Sequence, residues 1–186
     1  MTVAETPIPG VLLFTPPRYD DARGFFRERF RADGYAAHGV PPIVQENHSR
    51  SKKGVLRGLH FQRARPQGKL VECVRGQIYD VVVDLRRGSP TFGRHVGVAL
   101  SGEDGRQLWV PPGLAHGFCV RSPEADVLYG CSAYYRPGDE GGVAWDDEDL
   151  GIFWPVEAPA LSEKDRALPR LRELGPADLP QVDGAP

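Results

Sequence analysis

No stretch of this 186-residue chain is apolar enough, for long enough, to cross a bilayer, and an excess of one sign of charge is missing too. The first absence argues against a membrane-spanning helix. The second, with 23 Lys and Arg against 25 Asp and Glu and a formal charge of −2, argues against the broad electrostatic footprint of a nucleic-acid or membrane-surface binder. Cysteine is sparse: Cys73, Cys119 and Cys131 are odd in number and widely spaced, so they read as buried thiols and not as a disulfide framework or zinc knuckle. Met1 to Gly10 carries Glu5 and turn formers where a secretory leader needs a basic start and an apolar centre, so a cytoplasmic protein is expected. Internal repeats and low-complexity blocks are absent, and helical periodicity is scarce. The cluster Arg50, Lys52 and Lys53 reads as a solvated loop in preference to a phosphate site.

What the chain does have is 40% hydrophobic content and 40 residues of Gly and Pro (22 and 18) set between short runs of β-branched and aromatic residues. That punctuation belongs to an all-β sandwich or barrel, and the length to one domain with a sizeable core, residues 1–175. Strands are expected over 11–14, 24–30, 43–48, 55–61, 69–74, 77–84, 95–100, 106–110, 115–120, 127–133 and 142–145. The nearly continuous apolar run 79–84 is expected at the centre of a sheet. Short flanking helices are expected over 31–38, ended by Gly39, and after Ser162 as N-cap. Residues 176–186, rich in Pro, Gly and Asp, read as a flexible tail.

The most informative stretch is Gly54–Gln62, which puts Arg57 and His60 on one strand-like run. Side chains alternate along a strand, so residues three apart face opposite ways. Gly58 between them predicts a bulge that turns both toward one cavity. A second imidazole, His116, follows the turn Pro111-Pro112-Gly113. Either histidine alone reads as a packed core residue; two in a small barrel, whose mouth commonly holds ligands, point to a site.

The spacing Gly105, Pro111, Gly113, His116 is similar to the second motif of the cupin superfamily, and Gly54, His60, Gln62 to the start of its first. The resemblance implies a cupin-like jelly-roll barrel. A metal-binding cupin needs a histidine where Gln62 stands and a glutamate soon after, whereas the next acid is Glu72. Two imidazoles without those partners make a poor transition-metal site, so neither metal nor other cofactor is expected.

Longer segments narrow the match: Gln45–Ser49, Gly54–Gln62, Gly68–Val71, Ser89–Gly93, Arg106–Pro111, Leu128-Tyr129, Tyr134-Tyr135 and Leu161–Asp165. Together these resemble the dTDP-4-dehydrorhamnose 3,5-epimerase family over roughly residues 7 to 170. The resemblance implies a metal-free isomerase that inverts C3 and C5 of a dTDP-4-keto-6-deoxy sugar by removing and returning protons beside the C4 ketone. It also implies a homodimer formed by strand exchange near the N-terminus, in which Arg23 reaches the partner's site.

By that match His60 is the base and Asp165 its orienting partner, Tyr129 the acid on the opposite face, and Lys69 the cation beside the keto oxygen. Read alone, Asp165 is a first-turn helix acid, Tyr129 a strand packing residue and Lys69 a surface lysine. Arg23, Arg57 and Lys164 match diphosphate contacts; Glu28, Gln45, Asn47, His116 and Glu140 match sugar or nucleotide contacts; Tyr135, with Phe26, offers an aromatic face to thymine. Gly130 departs from the family's larger residue and leaves open a wider pocket. Three other readings compete: an epimerase inverting a single centre, a metal-dependent cupin enzyme, and a non-catalytic sugar-binding jelly roll.

Overall fold

A computed structural model describes residues 1–181. Its strands are β1 (Thr2–Glu5), β2 (Leu12–Thr15), β3 (Tyr19–Asp21), β4 (Gly24–Phe26), β5 (Gln45–Lys52), β6 (Leu56–Gln62) and β7 (Lys69–Arg75). They continue with β8 (Gln77–Asp84), β9 (His95–Ser101), β10 (Gln107–Val110), β11 (Leu114–Val120), β12 (Glu124–Cys131) and β13 (Glu140–Gly142). Two short helices, α1 (Ala32–Ala36) and α2 (Glu163–Arg166), flank them.

Two sheets face each other, in the orders β1-β2-β10-β7-β12-β5 and β13-β6-β11-β8-β9, and a separate β3-β4 hairpin stands apart from both. This antiparallel sandwich is the jelly-roll architecture expected from the sequence. Its interior is filled by inward side chains of both sheets, among them Val71, Leu108, Val127, Ile78, Val82 and Phe118. The outer faces are covered as well. Tyr35 of α1 lies with Phe14, Leu70 and Trp109 on the six-stranded sheet, and Leu150, Trp154 and Leu171 from the C-terminal stretch cover Val81, Val83 and Leu56 on the other. Burial on both faces explains why the run at 79–84 is continuously apolar. That strand is paired on both sides, but β11 takes the centre of its sheet.

Several expected boundaries move. The strand expected over 24–30 ends at Phe26, because Arg27 and Arg29 turn their guanidinium groups to Glu72. That expected over 43–48 runs instead from Gln45 to Lys52, since β12 pairs with it along its whole length. Arg50 and Lys52 are therefore strand residues and not loop, and Arg50 is paired with Asp126. The last strand is Glu140–Gly142 in place of 142–145, and the first helix is shorter than 31–38. Ser162 does cap α2, accepting from the Asp165 N–H at 3.1 Å. Residues 176–181, read as flexible tail, are anchored: Pro180 is buried and its carbonyl accepts from Arg87 N–H at 2.8 Å. The remainder of that expected tail lies outside the described residues. Cys73, Cys119 and Cys131 are buried free thiols.

The bulge at Gly58 is present. On β11 His116 pairs with His60 and Phe118 with Arg57, so two steps on β11 oppose three on β6. The extra residue returns Arg57 and His60 to one face. Only glycine fits there: its φ is 111°, and a Cβ would lie 2.6 Å from Gly117 Cα and 2.6 Å from the His116 carbonyl oxygen. Neither neighbour is a movable side-chain end. Gly58→Ala should cost on the order of 3 kcal/mol of stability, read as a lower urea midpoint; an unchanged midpoint would show that the two strands can separate freely.

Candidate active site

The open end of the sandwich holds a cavity of about 520 Å³ lined by Arg57, His60, Lys69, His116, Tyr129, Lys164 and Asp165, among others. A second of about 230 Å³ is lined by Gln45, Asn47, Gln62, Tyr135 and Glu140 and shares His60, Lys69 and Tyr129 with the first. Those three side chains are thus the junction of one continuous site. His60 and His116 come from β6 and β11 of one sheet, Lys69 and Tyr129 from β7 and β12 of the other. A ligand between the sheets therefore meets imidazole on one side and phenol on the other.

His60 Nε2 lies 2.5 Å from Asp165 Oδ1, and the other carboxylate oxygen accepts from Ser162 Oγ at 2.8 Å. Ser162 thus caps the helix and aims the acid in one turn. Burial disfavours the Asp165 carboxylate, but the bonds from His60 and Ser162 outweigh it and hold its pKa below the usual value. His116 has its own buried acid, Asp80, with contacts of 2.9 and 3.0 Å. Asp80 is a residue that sequence reasoning missed, although a carboxylate at an inward position of an apolar strand was a visible signal. Ser51 Oγ, also missed, accepts from Arg57 Nε at 3.0 Å.

Burial pushes the Lys69 pKa down, opposed by Cys131, Asp80 and Glu140, and pushes the Tyr129 phenol up. Both shifts follow from placing the groups between two sheets. Lys164 and Glu140 form an ion pair, and Glu140 also pairs with Tyr135. Gln62 Nε2 donates to the Arg136 carbonyl at 3.1 Å. Among the described residues no cluster of three or more His, Cys, Asp or Glu is placed to hold a metal ion, and no helix is long and apolar enough to cross a membrane.

Three of the residues singled out in the sequence are not at this cavity. Arg23 is 90% exposed on the β3-β4 hairpin and paired with Asp21. Phe26, on the same hairpin, is 69% exposed, so it does not lie beside Tyr135 in this chain. Glu28 pairs with Arg31. Gly130 does not widen the pocket: it faces outward, where a Cβ would lie 2.7 Å from Ile43 Cγ2.

The family model of dTDP-4-dehydrorhamnose 3,5-epimerase matches residues 5–173. A dTDP-4-dehydrorhamnose 3,5-epimerase from Shigella flexneri is 51% identical over 168 residues, 89% of this chain and 93% of that protein. Among solved structures, dTDP-6-deoxy-D-glucose-3,5-epimerase from Legionella pneumophila, in complex with dTDP-4-keto-L-rhamnose, superposes with a TM-score of 0.95 at 46% identity, covering 98% of this chain and 99% of that one. A 3'-monoepimerase from Streptomyces bikiniensis, in complex with dTDP-quinovose, does so with a TM-score of 0.88 at 37% identity, covering 95% and 91%.

The acid limb of stability follows from Asp165. Its depressed pKa contributes stability that is complete above the unfolded value of about 4 and is lost as pH falls through the lower folded value. Asp165→Asn should flatten stability against pH below about 4 in urea titrations; an unaltered acid limb would mean that the His60 contact contributes nothing to folding.

Proposed function

The chain belongs to the dTDP-4-dehydrorhamnose 3,5-epimerase family, and from that membership we propose how its own residues carry out epimerisation at C3 and C5 of dTDP-4-dehydro-6-deoxy-D-glucose. The C4 ketone acidifies only the C–H bonds beside it, so inversion requires a base on one face, a proton donor on the other and a charge beside the ketone oxygen. The observation that carries the reading is the meeting of His60, Tyr129 and Lys69 at the junction of the two cavities, with His60 and Tyr129 on opposing sheets.

His60 removes the proton. Because Nε2 faces Asp165, Nδ1 is the nitrogen left to accept it, and the buried carboxylate stabilises the imidazolium that forms. A placed base contributes about 10²–10⁴-fold. Lys69 stabilises the enolate oxygen, and burial, which lowers its pKa, makes its proton easier to share with that oxygen. Tyr129, kept protonated by burial, returns a proton to the opposite face. His60 then gives its proton to solvent and Tyr129 takes one from solvent, and with both groups restored the same events follow at the second carbon.

Arg57 and Lys164 hold the diphosphate, with His116 beside them. Gln45, Asn47, Glu140 and Tyr135 line the smaller lobe and contact the sugar or nucleotide. Arg23 and Phe26 act in trans: in a cytoplasmic homodimer the β3-β4 hairpin of one protomer reaches the partner's cavity, adding a cation for phosphate and an aromatic face for thymine. The exposure of Tyr19, Phe25 and Phe26 on that hairpin supports this assembly.

In deuterium oxide the full-length protein should incorporate label at both C3 and C5 of the sugar nucleotide. Label at one carbon only would favour a monofunctional epimerase, the activity named for the Streptomyces bikiniensis structure; label at neither would sink both readings. His60→Ala should fold and lose exchange by about 10³-fold or more, and a fully active variant would remove His60 as the base. Tyr129→Phe should go on exchanging protons while product formation collapses, which an acid acting after the base requires.

A further inference from the structure

The β3-β4 hairpin pairs with neither sheet, and a lone two-stranded hairpin is marginally stable in water. Something else must hold its direction. Both of its roots are tied down. Before β3, Arg18 donates to the Glu103 carbonyl at 2.6 Å and lies over the Phe25 ring at 4.2 Å from its centre. After β4, Arg27 approaches the same ring at 5.9 Å and forms an ion pair with Glu72. Phe25 is therefore flanked by two guanidinium groups.

Glu72 is the fixed end of this arrangement. It lies on β7, is 1% exposed, and receives Arg27 on one oxygen and, on the other, Arg29 at 3.4 Å and Gln107 Nε2 at 2.7 Å. Arg27 is itself only 8% exposed and occupies space that exists because residue 105 is glycine: a Cβ there would fall 1.3 Å from its Nη1. Gln107 in turn bonds Tyr35 of α1 and the Arg29 carbonyl. A paired, hydrogen-bonded buried carboxylate is costly to form and stiff once formed. It sits on the outer face of the sheet, lining neither cavity.

We propose that Glu72 is a positioning residue for the reaction: through Arg27 and Arg29 it sets the angle at which the hairpin leaves its own protomer, and so fixes Arg23 and Phe26 in the partner's site. This rests on the reading that the hairpin acts in trans. A clamp of this kind adds nothing to proton transfer and governs how well the site is pre-formed for the nucleotide end of the ligand.

Steady-state kinetics on the full-length protein tests it with Glu72→Gln, Arg23→Ala and the double variant. Glu72→Gln should raise KM for the dTDP-sugar about tenfold while kcat stays within about twofold, at unchanged mass in light scattering. Arg23→Ala should raise KM as well, and the double variant should fall short of the product of the two single effects, because the Arg23 contribution is removed by both changes while Phe26 is displaced only by Glu72→Gln. Should Glu72→Gln fail to fold, Arg27→Met keeps the acid paired with Arg29 and Gln107 and should give the same split. An unchanged KM in the clamp variants beside a raised KM in Arg23→Ala overturns the clamp and leaves the trans reading standing. An unchanged KM in Arg23→Ala overturns both, and a fall in kcat alone assigns Glu72 to general stability.

Discussion

Everything at this site depends on how closely the backbones of β6 and β11 approach. At Gly58 there is no room for a side chain, because the Gly117 backbone occupies it, and the bulge this allows changes the parity of the strand between Arg57 and His60. In a regular strand one of the two would point into the apolar layer around Leu56, Val83 and Trp154. A buried arginine or imidazole there would lack partners. The bulge removes that conflict and brings an anion-binding group and a base to one wall.

The second organising rule is that each imidazole in the cavity is matched with a buried carboxylate. His60 is matched with Asp165 and His116 with Asp80, each at hydrogen-bond distance, while Lys69 lies in the field of Asp80, Glu140 and Cys131. Two sheets packed face to face create a low-dielectric space in which such pairing is strong. The same space raises Tyr129 and lowers Lys69, which separates a donor from a group able to share its proton.

Most strands and the all-β class were legible because Gly and Pro mark the turns and β-branched residues fill what lies between, while the jelly roll was implied by the cupin resemblance. The bulge was legible too, since Gly58 stood between two chemically useful residues. What could not be read was anything set by contacts distant in sequence. Arg27 and Arg29 continue a strand-like pattern, yet they leave it for Glu72, 43 to 45 residues on. Residues 176–181 have the composition of a tail yet are docked, Leu179 against the apolar layer of the five-stranded sheet and Pro180 and Gln181 on Arg87. Asp80 was passed over because its strand looked like pure core, and the wider pocket left open at Gly130 is closed by alternation along β12, which turns Gly130 to the face opposite Tyr129. Family resemblance supplied Asp165, Lys69 and Tyr129; local chemistry alone would have left them as helix, surface and packing residues.

Asp165 sits on the same C-terminal stretch whose Leu150, Trp154, Leu161 and Leu171 close the outer apolar layer of the five-stranded sheet. The acid that orients the base is therefore carried by the same stretch that covers that layer. Were residues 150–171 detached from the sheet, His60 would lose the partner that fixes its tautomer. Apolar packing on the outside of the sandwich thus holds the proton chemistry on its inside, and proton transfer at His60 becomes a readout of whether that outer layer is in place.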